Sequence, residues 1–172
     1  MTLIIEDGSI VANANSFVTV AELDSYTSAR GITLYQEDGT TELTSDQKEY
    51  VLIGGFDYLN SIDPQLKGCR VERAQTGAYP RVGLVIDGFT YDSNEIPSVV
   101  KTVQMSLAVE SNQGVDLYSD QATIKSESVG IGNGAVTESK EYQGGKVEEI
   151  RQSNLLLRKL KGGSGYSMRV YR

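Results

Sequence analysis

Residues 12 to 31, ANANSFVTVAELDSYTSARG, constrain the fold more than any other stretch of this chain. A polar turn at Asn13 and Asn15 leads into the extended run Ser16, Phe17, Val18. Thr19 is a good N-cap, because its hydroxyl can accept a first-turn N–H that no helical carbonyl reaches. Glu22, three residues on, completes a capping box. Leu23, Tyr26 and Ala29 share one face at a spacing of three. Gly31 supplies the left-handed stop. A helix start, face and end are written here, and no residue in the stretch carries catalytic chemistry. Such an organised opening points to an assembly part rather than an enzyme.

The same grammar recurs downstream. Thr44 and Gln47 repeat the capping box for a second helix, with Tyr50, Val51, Ile53, Phe56, Leu59 and Ile62 as its apolar positions. Gly54 and Gly55 lie inside it, each costing about 1 kcal/mol against alanine, which implies a close helix contact or a bend. Pro64 ends the element. A third helix follows Ser93, Asn94 and Pro97, with Val99, Val100, Val103, Met105, Leu107, Ala108 and Val109 as a broad apolar stripe. Between these helices, residues 35 to 43 read as a polar loop turning at Glu37, Asp38 and Gly39. Asp87-Gly88 reads as the turn of a small hairpin. Residues 122 to 142 alternate in two arms around GIGNG, a second hairpin, which cannot stand alone in water. A fourth helix carries Ile150, Leu155, Leu156, Leu157 and Leu160. The expected fold is therefore mainly α. Helices lie near 20–30, 44–62, 97–113 and 148–160, a hairpin near 122–142, and a glycine-rich arm over 161–172. Residues 1–160 are expected to form one domain.

Composition then removes classes of function. The 172 residues contain no histidine and no tryptophan, and Cys69 is the lone cysteine. The commonest neutral-pH acid–base group is thus missing, as are an internal disulfide and a thiolate cluster. Cys69 reads as a buried or incidental thiol. No enzyme, cofactor or metal site is expected. Asp87, Asp92, Asn94 and Glu95 lack the spacing of a calcium loop. Gly130, Gly132 and Gly134 lack the strand-to-helix context and lysine of a phosphate loop. Ser126 and Ser128 have no histidine to activate them. The carboxylates Glu22 and Asp24 sit in a first helical turn, where they favour the dipole. The N-terminus, MTLIIEDGSI, has neither a basic flank nor a long apolar core, and nothing later approaches a membrane span. Synthesis in a reducing cytoplasm, with no membrane partner, is the expectation.

The net charge of -7 is unevenly placed. Residues 1 to 150 hold 10 basic and 23 acidic groups, whereas residues 151 to 172 hold six basic groups and no acid. An acidic body disfavours nonspecific duplex binding. Two basic and aromatic groupings remain as candidate contacts. Lys67, Arg70, Arg73, Tyr79 and Arg81 could hold phosphates and stack bases, or could pair with acids of the body or an interface. Arg158, Lys159, Lys161, Tyr166, Arg169, Tyr171 and Arg172 read as a docking surface toward a partner or neighbour.

Several short motifs, in order, resemble a widespread tailed-phage family of small neck proteins. They are Glu6-Asp7-Gly8, Asn15-Ser16-Phe17, Ala21-Glu22, Ala29-Arg30-Gly31, Asp57-Tyr58-Leu59, Lys67-Gly68, Arg70 and Tyr79-Pro80-Arg81, where relatives commonly carry tryptophan for the tyrosine. Ile96-Pro97 and Lys125 to Gly130 also fit. Relatives carry two labels: a DnaT-like single-stranded-DNA-binding protein, and a head–tail adaptor with a four-helix connector core. The adaptor label implies about twelve copies in a ring beneath the portal. That ring would lie at the virion neck and be made in the host bacterial cytoplasm. It would extend a channel for double-stranded DNA and meet the portal and the next neck or tail protein. The alternative label implies a replication or packaging accessory protein.

Overall fold

The computed structural model describes residues 2–118, the strands 124–132 and 135–142 as backbone, and residues 151–162. It is mostly helical with small β insertions, as the pattern predicts. The chain forms two compact units. One contains the residues up to Leu117 together with the segment from Gln152; the other is Tyr118–Arg151.

In the first unit, α1 (Val20–Ser28) and α2 (Ser45–Ser61) both begin in capping boxes, Thr19 with Glu22 and Thr44 with Gln47. A 3-10 turn, Asp63–Gln65, carries Pro64 beyond α2. Two-residue strands follow: β1 (Cys69–Arg70) pairs with β2 (Arg81–Val82), and β3 (Val85–Ile86) with β4 (Phe89–Thr90), all antiparallel. Asp87 and Gly88, both at positive φ, form the tight turn of the β3–β4 hairpin. Helix α3 (Ser98–Asn112) starts after Pro97, which holds the N-cap without a side-chain hydrogen bond, so neither Ser93 nor Asn94 caps it. Helix α4 spans Gln152–Leu160; the stretch of the expected helix before Arg151 lies outside the described residues.

Helix α3 is the centre. Val100, Val103 and Leu107 enter a cluster with Phe17, Phe56, Leu59, Tyr79, Leu84, Leu157 and Leu160. Met105, Ala108 and Val109 enter a second cluster with Val18, Leu23, Tyr26, Leu34 and Leu52. A helix apolar on most of its circumference must be buried on most of it. Phe17 joins the N-terminal segment to α2 through Phe56, with ring centroids 4.8 Å apart, and meets Tyr79 edge-on at 6.1 Å. Gly55 explains part of the paired-glycine signal: a Cβ there would stand 2.9 Å from the Gln104 carbonyl oxygen, so α2 and α3 approach closely at this point. Gly54 faces open space.

Polar side chains fix the entry to this core. Ile5 and Ser16 form a parallel bridge, and Asn15 accepts from the Ile4 N–H at 2.7 Å. Glu6, buried to 1% exposure, accepts from the N–H groups of Gly8, Ile10 and Val11. Gln104 is fully buried in α3. Its oxygen accepts the Phe17 N–H at 2.8 Å, and its amide donates to Ser16 Oγ and the Leu52 carbonyl. Residues 35–43 form the expected polar loop, bridged between Tyr35 and Glu42. Its Asp38 carboxylate is held down at about 2 by the Thr41 hydroxyl, the Thr41 N–H and the Thr40 N–H. A folded value below the ordinary 3.8 means that this tie is complete above about pH 4 and is lost as pH falls through about 2. The Thr40 and Thr41 amide resonances should move in that window, and an unchanged spectrum from pH 5 to pH 2 would contradict the tie.

The second unit contains β5 (Ile124–Gly132) and β6 (Ala135–Tyr142), an antiparallel pair in register from Ser126↔Glu141 to Gly132↔Ala135, with a shift between Ile124 and Ser126.

Candidate interaction surfaces

The basic and aromatic residues of the 67–81 segment are brought together, but largely inside the protein. Arg81 is 4% exposed. Its Nε donates to the Lys67 carbonyl at 2.7 Å, and its two terminal nitrogens donate to the carbonyls of Ala78, Leu66 and Gly68. It also pairs with the Asp63 carboxylate. The planar fork of arginine suits this arrangement, since five N–H groups in fixed directions can satisfy several loop carbonyls at once. Arg70 pairs with the other Asp63 oxygen at 3.2 Å and donates to the Gln75 carbonyl. Asp63, placed by Pro64 just past the end of α2, therefore anchors both arginines.

Tyr79 is fully buried, between Phe17 and the Arg81 guanidinium, 5.8 Å from its ring. A base cannot stack on it in this conformation. The stacking role expected as one option for Tyr79 is thereby replaced by a core role, and the phosphate role of Arg81 by a loop-locking one. Burial holds the Tyr79 phenol far above its usual value, so it stays neutral. Its hydroxyl has no hydrogen-bond partner among the described residues. Because a buried unpaired hydroxyl costs about 1 kcal/mol or more, Tyr79→Phe is expected to leave stability unchanged or raise it by about 1 kcal/mol. Urea denaturation checks this, and a clear loss of stability would mean that the hydroxyl is satisfied after all.

Arg73 is exposed and Lys67 half-buried, and neither forms an ion pair among the described residues. Elsewhere before residue 118 the bases are engaged. Lys48 meets Asp24 at 2.7 Å, Lys101 meets Glu22 at 3.1 Å, and the Arg30 guanidinium lies 3.6 Å above the Tyr26 ring. Residues 2–118 carry seventeen acidic and seven basic side chains, so this outer surface is strongly acidic. Among the described residues no cluster of histidine, cysteine, aspartate or glutamate could hold a metal ion. Cys69 is exposed rather than buried.

The C-terminal basic residues are partly described. Arg158 and Lys159 are exposed in the last turn of α4, where positive charge favours the helix dipole. Lys159 reaches Asp87 at 2.7 Å. Lys161 is half-buried, its backbone bridging to Leu66 while Gly162 N–H reaches the Gln65 carbonyl. The chain beyond α4 thus starts beside the Arg81 cluster. Tyr166, Arg169, Tyr171 and Arg172 lie outside the described residues. Sequence periodicity did not reveal an exposed apolar group on the short strands: Val82, Val85 and Phe89, the last 72% exposed. A shallow groove of 460 Å³ also runs along α1, lined by Ala21, Glu22, Ser25, Tyr26, Ala29, Arg30 and Met105.

The family model described as "Putative DnaT-like ssDNA binding protein" matches residues 1–172. The chain belongs to this family. No curated protein matches the chain, and no solved structure does.

Proposed function

We propose that this DnaT-like chain is a structural head–tail adaptor of a tailed bacteriophage. About twelve copies would form a ring under the portal, extend the channel for double-stranded DNA, and join the capsid to the next neck or tail protein. The observation that carries this reading is the fate of the 67–81 cluster. Tyr79 and Arg81 are consumed in the core, and the surrounding surface is acidic. An acidic wall repels the phosphate backbone, so duplex DNA can slide past it without sticking. No helix among the described residues is long and apolar enough to cross a membrane. The expected docking residues Arg158 and Lys159 lie at the exposed basic end of α4.

The family's description favours a second reading, a single-stranded-DNA-binding accessory. Lys67, Arg73 and the C-terminal bases are the groups that would serve it. Fluorescence anisotropy with a labelled oligothymidine separates the two. An adaptor should show only weak binding near physiological salt, with a dissociation constant above about 100 μM. A dedicated binder should bind tightly, lose affinity steeply with salt, and weaken on Lys67→Ala with Arg73→Ala. That second result would sink the adaptor reading.

A further inference from the structure

We propose that the hairpin β5–β6 is an assembly edge, on which the outer edge of β6 in one copy pairs with the outer edge of β5 in a second copy, head to tail. The inference rests on the ring-forming adaptor reading and names the contact that would build the ring.

Among the described residues the sheet contains β5 and β6 only, so within them neither strand has a second strand against its outer row of backbone N–H and C=O groups. A two-stranded ribbon is at best marginal in water. Tyr118–Arg151 is a compact unit of its own, and its strands bring few large apolar residues to it. Natural edges are usually guarded by proline, charged side chains or a bulge. The three prolines of this chain all lie elsewhere, at 64, 80 and 97, and the one register shift is at Ile124/Ser126, away from the turn. Among the charges of the two strands, Glu127 and Lys140 are opposite in sign and share a register position, so they suit a repeat of the same pairing rather than block it. The ladder from Ser126 to Gly132 is uninterrupted.

The occupant follows from the two edges. Because β5 and β6 are antiparallel, β6 beside the next copy's β5 is antiparallel as well, and the same pairing simply repeats. A copy added at equal height sets Lys140 level with Glu127 on both sides, since Glu127↔Lys140 is already a register pair. It likewise sets Val136 level with Ile131 on both sides. Opposite charges and β-branched residues directly across strands are favourable pairs. A foreign strand would satisfy one edge and leave the other bare, whereas a second copy supplies both. Unlike edges joined in sequence form a heterologous contact, the kind that closes into a ring.

Hydrogen exchange with mass spectrometry on the full chain tests this, free at about 1 μM and about 500 μM, and bound to portal rings. Residues 124–132 and 135–142 should exchange at least about tenfold more slowly on concentration or on the ring, while α3 is unchanged. Direction is read in a Cys69→Ser background by mixing a chain carrying Ser128→Cys with one carrying Ser139→Cys. The mixed disulfide should outrun either like pair. Exchange that is the same in all three states, or dominance of a like pair, overturns the proposal. Protection without portal binding would instead sink the adaptor reading and leave the edge pairing intact.

Discussion

Arg81→Ala is expected to destabilise the protein by about 2 to 4 kcal/mol, because a buried donor of several charge-assisted hydrogen bonds is lost and its carbonyl acceptors are left unpaired. The side chain is 5% exposed and ties the carbonyls of Leu66, Lys67, Gly68 and Ala78 to the Asp63 carboxylate. Removing it leaves four loop carbonyls without that donor and opens a void under Tyr79 and Leu66. Asp63 keeps Arg70, so the loss falls on the loop rather than on an orphaned carboxylate. Arg81→Lys keeps the charge and loses the fork, and should fall between wild type and alanine. Arg70→Ala, at a site about a third exposed, should cost no more than about 1 kcal/mol. If Arg81 were a surface nucleic-acid contact instead, alanine there would leave the urea midpoint within about 0.5 kcal/mol of wild type.

Gln104→Leu is the second large effect, an expected loss of about 2 to 4 kcal/mol from a change that preserves bulk. Leucine cannot accept the Phe17 N–H or donate to Ser16 Oγ and the Leu52 carbonyl. The Phe17 N–H would then be buried without a partner, which is the expensive half of the loss. The contrast is Lys101→Met on the same helix, which gives up only the exposed pair with Glu22 and should cost under about 1 kcal/mol. Thermal unfolding of both variants checks the order, and equal losses would mean that Gln104 is not the link between the N-terminal segment, α2 and α3.

The helices were legible because their ends are local chemistry. Thr19 with Glu22, Thr44 with Gln47, and Gly31 at φ +63 each act within a few residues, so the sequence alone locates them. Both hairpins were legible for the same reason, through Asp87-Gly88 and the alternation about GIGNG. What escaped was long-range polar pairing. Gln104 bonds to a residue 87 positions away, and nothing near it in sequence names that partner. A weak signal existed, since Gln104 lies four residues after Val100 and three before Leu107, on the inward side of an apolar helix. For Arg70 and Arg81, pairing with an acid of the body was one of the two readings the sequence left open, and Asp63 is that acid. The carbonyl lock of Arg81 was not legible, because its acceptors are backbone groups that any sequence would supply. Within α2 the apolar positions were overcounted: Tyr50 is exposed, whereas Leu52 is fully buried. Spacing by three or four fixes a face only to within one residue, and tertiary packing chooses between neighbours.

The most direct measurement is cosedimentation of the purified chain with isolated tailed-phage portal rings, followed by particle imaging. The adaptor reading predicts a rotationally symmetric ring stacked coaxially on the portal. No association with the portal, together with tight salt-dependent binding to single-stranded DNA, would contradict it.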